Sequence, residues 1–219
     1  MFAKSEASLR WTRSTGWRPL QSRGVGVRDG RQRLNRNVIV ATARRIAEAD
    51  GLDALTLRRV GHELSTGQAS LYRHITDRHE LLELLADDVA RDLPRLPTEG
   101  DARQRLLTLW RAAHDYLARH RWAVRIIADG DIEAPSAVGF ARTALAALVT
   151  AGCPEPQALR GYRALWHLLL GHLLNAHPLG HHLDEHHVEA HVAFTADDPG
   201  AEFEWAMTRL VDGILRTPS

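Results

Sequence analysis

The chain has 219 residues, of which 44% are hydrophobic and 25% are charged, and its formal net charge at pH 7 is +1. This composition is ordinary for a folded protein, and the length is enough for one small and one larger domain. The single cysteine, Cys153, excludes an internal disulfide, and no apolar run reaches the roughly 18–20 residues of a membrane span, so we expect a cytoplasmic protein.

The first segment of the chain is basic. Residues 1–36 contain nine Lys or Arg residues against two acidic ones, whereas the rest of the chain is mildly acidic. Residues 1–34 also lack any helical period, so we expect them to form a disordered basic arm. Such an arm either suits an anionic partner such as DNA or is a solvated tail with a chance excess of charge.

Four helices are predicted next, from the apolar periodicity and from local start and stop residues. They run from Asn35 to Gly51, over 57–64, over 68–75, and from Arg78 to about Leu93. Asn35 and Thr56 are good N-cap residues, and Gly51 is a typical helix-ending glycine. Asp77 and Glu80, three residues apart, predict a capping box at the start of the fourth helix.

The remainder of the chain is also helical in pattern, and no segment alternates regularly enough to be a strand. The predicted helices cover residues 101–120, 122–128, 137–151, 156–175 and 199–215. We therefore expect an all-α fold. A small N-terminal domain, residues 35–93, would be joined by its long fourth helix to a larger helical domain, residues 101–217.

The second and third helices have the form of a helix-turn-helix. Its buried seam would consist of Val60, Leu64, Leu71 and Ile75. Gly61 is small enough to let the two helices approach, and a three-residue break separates them. The polar residues of the second helix of such a pair, here Gln68, Ser70 and Arg73 or His74, would face a DNA major groove. The same pattern is also compatible with a purely structural helical hairpin.

The surrounding residues resemble the DNA-binding domain of the TetR family of transcriptional regulators. The resemblance runs from Ile39 to Val89 and rests on LDALTLRRV at Leu52, LYRHI at Leu71 and DRHELL at Asp77. It implies a homodimeric repressor that leaves a pseudo-palindromic operator when a small molecule enters its C-terminal ligand-binding and dimerisation domain. One departure is Ser65, which stands where the family usually has the glycine of a left-handed turn.

The same resemblance implies the DNA-binding residues. They are Thr56, Arg58, Gln68, Ala69, Ser70, Tyr72, Arg73, His74 and Arg78. Residues 68–70 would open the recognition helix and meet base edges. Tyr72, His74 and Arg78 would touch phosphate, with Tyr72 also packing. The two residues at the start of the second helix would contact the DNA backbone, with a base contact as the alternative.

Aromatic side chains accumulate in the C-terminal half and are candidates for a small-molecule site. They are Trp110, His114, Trp122, Phe140, Tyr162 and Trp166. Apolar walls with a few polar tips are typical of ligand pockets, but the same residues at helical spacing also suit a core. The family resemblance favours a pocket in this domain.

The segment His181–His191 is rich in histidine and suggests an alternative function. Its pairs His182/His186 and His187/His191 have the spacing that lets two imidazoles share a zinc ion on a helix, which would make the protein a metal-responsive regulator. A solvated polar loop explains the same residues, because the segment follows a Pro/Gly break and has no cysteine partner. We expect no metal and no cofactor.

Catalysis is not indicated by any pattern in the sequence. The carboxylates Asp129, Asp131 and Glu133 could form an acid/base pair or a cation site. A polar loop explains them better. No nucleophile with a base and no phosphate loop is recognisable. We therefore expect a protein that is not an enzyme, the alternative being a helical enzyme with an incidental hairpin.

The predicted helices 156–175 and 199–215 are apolar over too wide a surface for a single stripe. We expect them to pack on their own domain and on a second copy of the chain, as a two-fold dimer. Gly161 and Gly171 weaken the first of these helices, so we expect at least one of them to lie at a close helix crossing.

Overall fold

The computed structural model describes residues 34–175 and 199–216 and confirms the all-α prediction, since these residues form nine α-helices and no strand. The helices are α1 (Arg36–Asp50), α2 (Leu57–Glu63), α3 (Gln68–Leu71), α4 (Arg78–Arg91), α5 (Ala102–Arg119), α6 (Arg121–Asp129), α7 (Ala137–Thr150), α8 (Glu155–Leu174) and α9 (Pro199–Arg216). The predicted basic arm, apart from Leu34, and the segment His181–His191 lie outside the described residues.

Helix starts follow the capping residues expected from the sequence. The side chains of Asn35 and Thr56 accept hydrogen bonds from backbone N–H groups three residues ahead, at 2.9 and 3.1 Å. Asp77 and Asp101 do the same for α4 and α5, at 2.9 and 2.8 Å. Gly51 ends α1 with a φ of 79°, a backbone conformation that favours glycine. These contacts satisfy N–H groups that a helix terminus otherwise leaves without a partner.

The third helix is shorter than predicted. It was expected to reach Ile75 but ends at Leu71, and the chain continues in a turn in which both His74 N–H and Ile75 N–H bond to the carbonyl of Leu71. Asp77, further along, is extended with a φ of −155° and caps α4. A turn of 3₁₀ helix at Leu52–Ala54 was not predicted.

The N-terminal helices enclose an apolar core. Its fully buried members are Ile39, Ala43, Ile46, Leu55, Val60, Leu71, Ile75, Leu81 and Leu85. The prediction of a buried Leu64 was wrong, because this residue is only half-buried. It is the C-cap residue of α2 and packs against this core with only part of its side chain.

The larger core lies among α5, α7, α8 and α9, and α6 packs on α8. Trp110 of α5 is completely buried in it. Helix α4 packs on α1 and also on α6 and α7, so it connects the two cores. No helix among the described residues is both long and apolar enough to cross a membrane.

The α8–α9 crossing confirms the expectation for one glycine. A Cβ atom at Gly161 would lie 3.0 Å from Cγ2 of Ile214, whereas one at Gly171 would meet nothing within 4 Å. The absent side chain at Gly161 therefore lets α9 approach α8 closely. Leu165, Leu169 and Leu173 of α8 are buried within this chain. Leu159 and Leu174 of the same helix are exposed.

Candidate nucleic-acid interface

The two short helices α2 and α3 meet at a glycine. A Cβ atom at Gly61 would lie 3.1 Å from Cδ1 of Leu71 and 3.3 Å from the carbonyl oxygen of Thr66. Gly61 itself is buried, and Val60 beside it is completely so. The prediction that Gly61 permits the close approach of the two helices is thereby confirmed.

The turn between these helices keeps the left-handed conformation that the family resemblance implies, although serine replaces the usual glycine. Ser65 has a φ of 49°, and among the described residues no other non-glycine has a positive φ. The turn is closed by hydrogen bonds from Ser65 N–H to the carbonyl of His62 and from Thr66 N–H to that of Gly61. The left-handed conformation of Ser65 costs about 1–2 kcal/mol, which the surrounding hydrogen bonds and packing offset.

The α3 helix and the turn after it, residues 68–76, which we call the α3 segment, have one buried and one exposed side. Leu71 and Ile75 are 1% exposed and anchor the segment. The predicted DNA-binding residues here are exposed, namely Gln68, Ala69, Tyr72 and Arg73, or half-buried, namely Ser70 and His74. Tyr72 is 53% exposed, so much of its large aromatic side chain faces solvent. Nη2 of Arg73 donates to Oγ of Ser70 at 3.1 Å.

The other predicted DNA-binding residues lie at the starts of α2 and α4. Arg58 is exposed, and Thr56 is exposed while its hydroxyl caps α2. The guanidinium of Arg78 points towards the chain before α2, with Nε and Nη2 each 3.4 Å from the carbonyl oxygens of Leu55 and Leu52. Arg78 therefore ties α4 to the segment that leads into the helix-turn-helix.

Two charged residues that the sequence did not assign to this region hold the end of the α3 segment. Nε of Arg36 donates to the carbonyl of His74 at 2.9 Å, and its Nη2 donates to Oε1 of Glu80 at 2.6 Å. Oε2 of Glu80 accepts from Thr76 N–H at 2.6 Å. Hydrogen bonds from Thr76, and the charge of Arg36, lower the pKa of Glu80 below its usual value.

The predicted capping box is therefore only half formed. Asp77 caps the N–H of Glu80 as expected, but the carboxylate of Glu80 accepts from Thr76, one residue earlier than the capping-box pattern requires. The sequence contained the signal for the cap. It contained no signal for Arg36, which is 44 residues away.

An ion-pair network connects α1 with α4. Arg44 bonds to Glu48, Asp88 and Asp92 at 3.1, 2.9 and 3.1 Å. Partial burial by itself lowers the pKa of Arg44, but these three carboxylates outweigh it and raise the pKa above its usual value. Arg44 remains a cation and fastens the N-terminal helix to the connecting helix.

Four of the six candidate ligand residues form one aromatic cluster in the larger core. The ring centroid of Trp110 lies 5.5 Å from that of Phe140, 5.8 Å from that of Tyr162 and 6.1 Å from that of Trp166. Burial raises the pKa of Tyr162. Nε1 of Trp110 is buried with no hydrogen-bond partner among the described residues. An acceptor on a bound molecule would satisfy this N–H group.

The other two candidates lie outside this group of four rings. His114 is buried and stacks on Phe203 at 4.4 Å, with His172 at 5.1 Å. The ring contact of Trp122 is with His120, at 6.4 Å. The sequence could not separate Trp122 from the rest, because aromatic content does not reveal which helix faces meet.

A groove of about 400 Å³ lies beside the aromatic cluster. It is lined by the end of α4 with the chain that follows it, and by Ser136, Gly139, Phe140 and Thr143 of the α7 region. Phe140 belongs both to this groove and to the cluster. A molecule in the groove would thus touch α4 and the cluster together.

The remaining candidates do not form a site in the described part of the chain. Asp129 ends α6, and Asp131 and Glu133 are exposed in the following loop. No group of His, Cys, Asp or Glu among residues 34–175 and 199–216 could hold a metal ion. The histidine pairs of 181–191 lie outside these ranges.

Comparison with known families matches both parts of the chain. Residues 39–85 match the family described as bacterial regulatory proteins of the tetR family. Residues 93–191 match the tetracyclin repressor-like C-terminal domain. The chain belongs to the TetR family. The first match contains α2, α3 and the turn between them, so the family assignment and the helix-turn-helix geometry concern the same residues.

Individual TetR-family relatives agree with this assignment. The HTH-type transcriptional repressor DrrR1 of Streptomyces coeruleorubidus is 34% identical over 157 residues, which is 68% of this chain and 53% of that protein. An HTH-type transcriptional regulator of Saccharopolyspora erythraea is 26% identical over 140 residues, 63% of this chain and 59% of that protein. The chain thus spans little more than half the length of the curated relatives it matches.

Solved structures of the TetR family share this fold along most of their length. Apo ActR from Streptomyces coelicolor superposes with a TM-score of 0.71 at 29% identity, covering 83% of this chain and 95% of ActR. ActR in complex with (S)-DNPA superposes with a TM-score of 0.66 at 27% identity, covering 83% of this chain and 97% of ActR.

Proposed function

We propose that this TetR-family protein is a transcriptional repressor that binds operator DNA as a homodimer and releases it when a small molecule binds. The observation that carries the proposal is the two-sided α3 segment. Leu71 and Ile75 anchor it, and the exposed side chains between Gln68 and Arg73 face outward. A short helix presented in this way fits a DNA major groove. DrrR1, which is similar over 157 residues, is a repressor by its name.

In this proposal residues 35–93 are the DNA-binding domain. Residues 68–70 read base edges, and Arg58, Tyr72, Arg73 and His74 contact the backbone of the duplex. Thr56 contributes through the α2 cap. For Arg78 to contact a phosphate, its guanidinium would have to bind the DNA as well as the carbonyl oxygens of Leu52 and Leu55.

Residues 101–217 would bind the effector and form the dimer. The effector site we propose includes Trp110, Phe140, Tyr162 and Trp166, with His114 and Trp122 at its periphery. The orphan N–H of Trp110 and the adjoining groove support this location. A solved relative, ActR, forms a complex with the small molecule (S)-DNPA. Because α4 contacts α1 on one side and α6 and α7 on the other, a ligand that prefers one position of α4 would shift the spacing of the recognition helices.

The dimer would use the outer faces of α8 and α9. Leu159 and Leu174 are 44% and 49% exposed, and Trp205 is 62% exposed. Large exposed apolar side chains on two neighbouring helices are typical of a surface that a partner covers. A two-fold pairing would present two recognition helices about 34–36 Å apart, one turn of B-DNA.

We also infer that the protein acts by binding and not by catalysis, and that it works in the bacterial cytoplasm, where a repressor meets the chromosome. Selection of duplexes from a randomised library, followed by footprinting, tests the DNA-binding role. A pseudo-palindrome should be enriched. Gln68→Ala should relax the preference at one position in each half-site, whereas Arg58→Ala should weaken binding to all sequences and reduce the salt slope by about 1. Failure to enrich any duplex would contradict the proposal.

Release by a small molecule can be tested on the same operator. A thermal-shift screen of aromatic compounds, with (S)-DNPA among them, should find molecules that raise the melting temperature. Linkage requires a releasing effector to bind more weakly to the operator complex than to the free protein. Compounds that stabilise the protein but leave operator affinity unchanged would contradict the release mechanism.

A further inference from the structure

The α3 segment cannot maintain its own orientation. The helix has four residues, and isolated helices much longer than this are marginal in water. Its direction therefore depends on contacts with the rest of the chain. Leu71 and Ile75 hold its inner side, but hydrophobic attraction is non-directional and does not by itself set the orientation of so short a segment.

Directional contacts are present at the far end of this segment. We call Arg36 and Glu80, with the backbone groups they bind, the Arg36–Glu80 clasp. Arg36 donates to the carbonyl of His74 and to Glu80, and Glu80 accepts from Thr76 N–H, at distances of 2.6 to 2.9 Å. Three bonds thus join the first residue of α1, the end of the α3 segment and the first turn of α4.

The chemistry of the clasp matches its place in the fold. A backbone carbonyl outside a helix still needs a hydrogen-bond donor, and the guanidinium of Arg36 supplies one to His74. Charge-assisted bonds are short and more directional than neutral ones. The attraction alone is worth little because Arg36 is 58% exposed. The contribution lies in the geometry, since a guanidinium is a rigid fork that reaches two acceptors at once.

We propose that Arg36 and Glu80 are positioning residues for DNA recognition, which fix the orientation of the recognition helix without themselves touching DNA. This inference rests on the proposed function. It separates these two residues from the exposed side chains of α2 and α3, which would contact the duplex directly. It also gives α1 a role in DNA recognition beyond packing.

The test compares Arg36→Gln with a matched control, Arg45→Gln. Arg45 is on the same helix, is 61% exposed and pairs with Glu63, so its replacement removes the same charge and one ion pair without touching the α3 segment. The probes are the duplex that the wild-type protein selects and a scrambled duplex of equal length. Arg36→Gln should lower affinity for the selected duplex on the order of tenfold more than Arg45→Gln does. Affinity for the scrambled duplex and the salt slope should be the same for both variants.

Two results with DNA would overturn the inference. Equal affinities of the two variants for the selected duplex would show that the clasp does not position the recognition helix. An equal loss on both duplexes, with a salt slope reduced by about 0.9, would show that Arg36 contacts a phosphate instead. If the wild-type protein selects no duplex, the proposed function itself fails. If it selects a duplex that Arg36→Gln binds as tightly as Arg45→Gln does, only the present inference fails.

Hydrogen exchange of backbone amides supplies a readout that needs no DNA. The amides of His74, Ile75 and Thr76 should exchange faster in Arg36→Gln than in Arg45→Gln, and unchanged exchange would overturn the inference. If Arg36→Gln does not fold, Arg36→Lys takes its place. Lysine keeps the charge but cannot reproduce the fork, so selected-duplex affinity should be intermediate. Full wild-type affinity of a folded Arg36→Lys would show that charge alone suffices and would overturn the positioning role.

Discussion

Replacement of Gly61 by alanine tests whether the close approach of α2 and α3 is required. The added Cβ would lie 3.1 Å from Cδ1 of Leu71 and 3.3 Å from the carbonyl oxygen of Thr66. Both distances are shorter than an ordinary van der Waals contact. Leu71 is 1% exposed, so its side chain has little room to move away, and the carbonyl belongs to the tight turn. The two helices must therefore separate or the turn must distort.

Two opposing energies decide the outcome at Gly61. Alanine is more favourable than glycine inside a helix by about 1 kcal/mol. Overpacking a dense contact costs about 1–3 kcal/mol. We expect the second effect to dominate, with a net loss on the order of 1 kcal/mol, which is equivalent to a melting temperature lower by about 2–4 °C in a chain of this size.

Gly139→Ala is the matched control for this prediction. Gly139 also lies in a helix, and a Cβ there would meet nothing within 4 Å, so only the favourable helix effect remains. Thermal unfolding of both variants at one protein concentration should move the melting temperature in opposite directions. Operator affinity should fall in Gly61→Ala alone. If Gly61→Ala is stabilised as much as Gly139→Ala, the crossing is not as tight as the geometry implies and this reasoning is refuted.

Three further predictions follow from the core, the outer helix face and the clasp. Phe140→Ala should lower the free energy of unfolding, measured with urea, by about 3 kcal/mol, because it removes a buried aromatic ring. Val138 lies on the same helix and is 55% exposed, so Val138→Ala should change this free energy by less than about 0.5 kcal/mol. Leu174→Glu should shift the protein to monomers in sedimentation, and Val138→Glu should not; dimers of Leu174→Glu as stable as those of the wild type would place the interface elsewhere. Because the pKa of Glu80 is lower in the folded protein than its value near 4.5 in the unfolded chain, its carboxylate stabilises the fold above pH 4.5. This stabilisation is lost as the pH falls through the pKa of the folded state. The free energy of unfolding of Glu80→Gln should therefore depend less on pH below pH 4.5 than that of the wild type. An unchanged pH profile would show that the carboxylate is not held as the geometry indicates.

Local features of the sequence were enough to predict most helix starts and the position of the helix-turn-helix. Asn35, Thr56 and Asp77 each cap a helix as expected, because a cap depends on residues three positions apart. The small residue Gly61 predicted the close crossing of α2 and α3, whereas the left-handed turn at Ser65 was implied only by the family resemblance. The sequence pattern LYRHI with DRHELL also sufficed to indicate the TetR family.

Only the tertiary structure decided which distant side chains meet. The bond between Arg36 and Glu80 joins residues 44 positions apart, and the aromatic cluster takes Trp110 and Phe140 from separate helices but leaves Trp122 beside His120. Helical periodicity tells which side of one helix is apolar, but not which neighbour covers that side. The pairing depends on the crossing of the helices and on the paths of the loops between them, and these are set by the packing of the whole core.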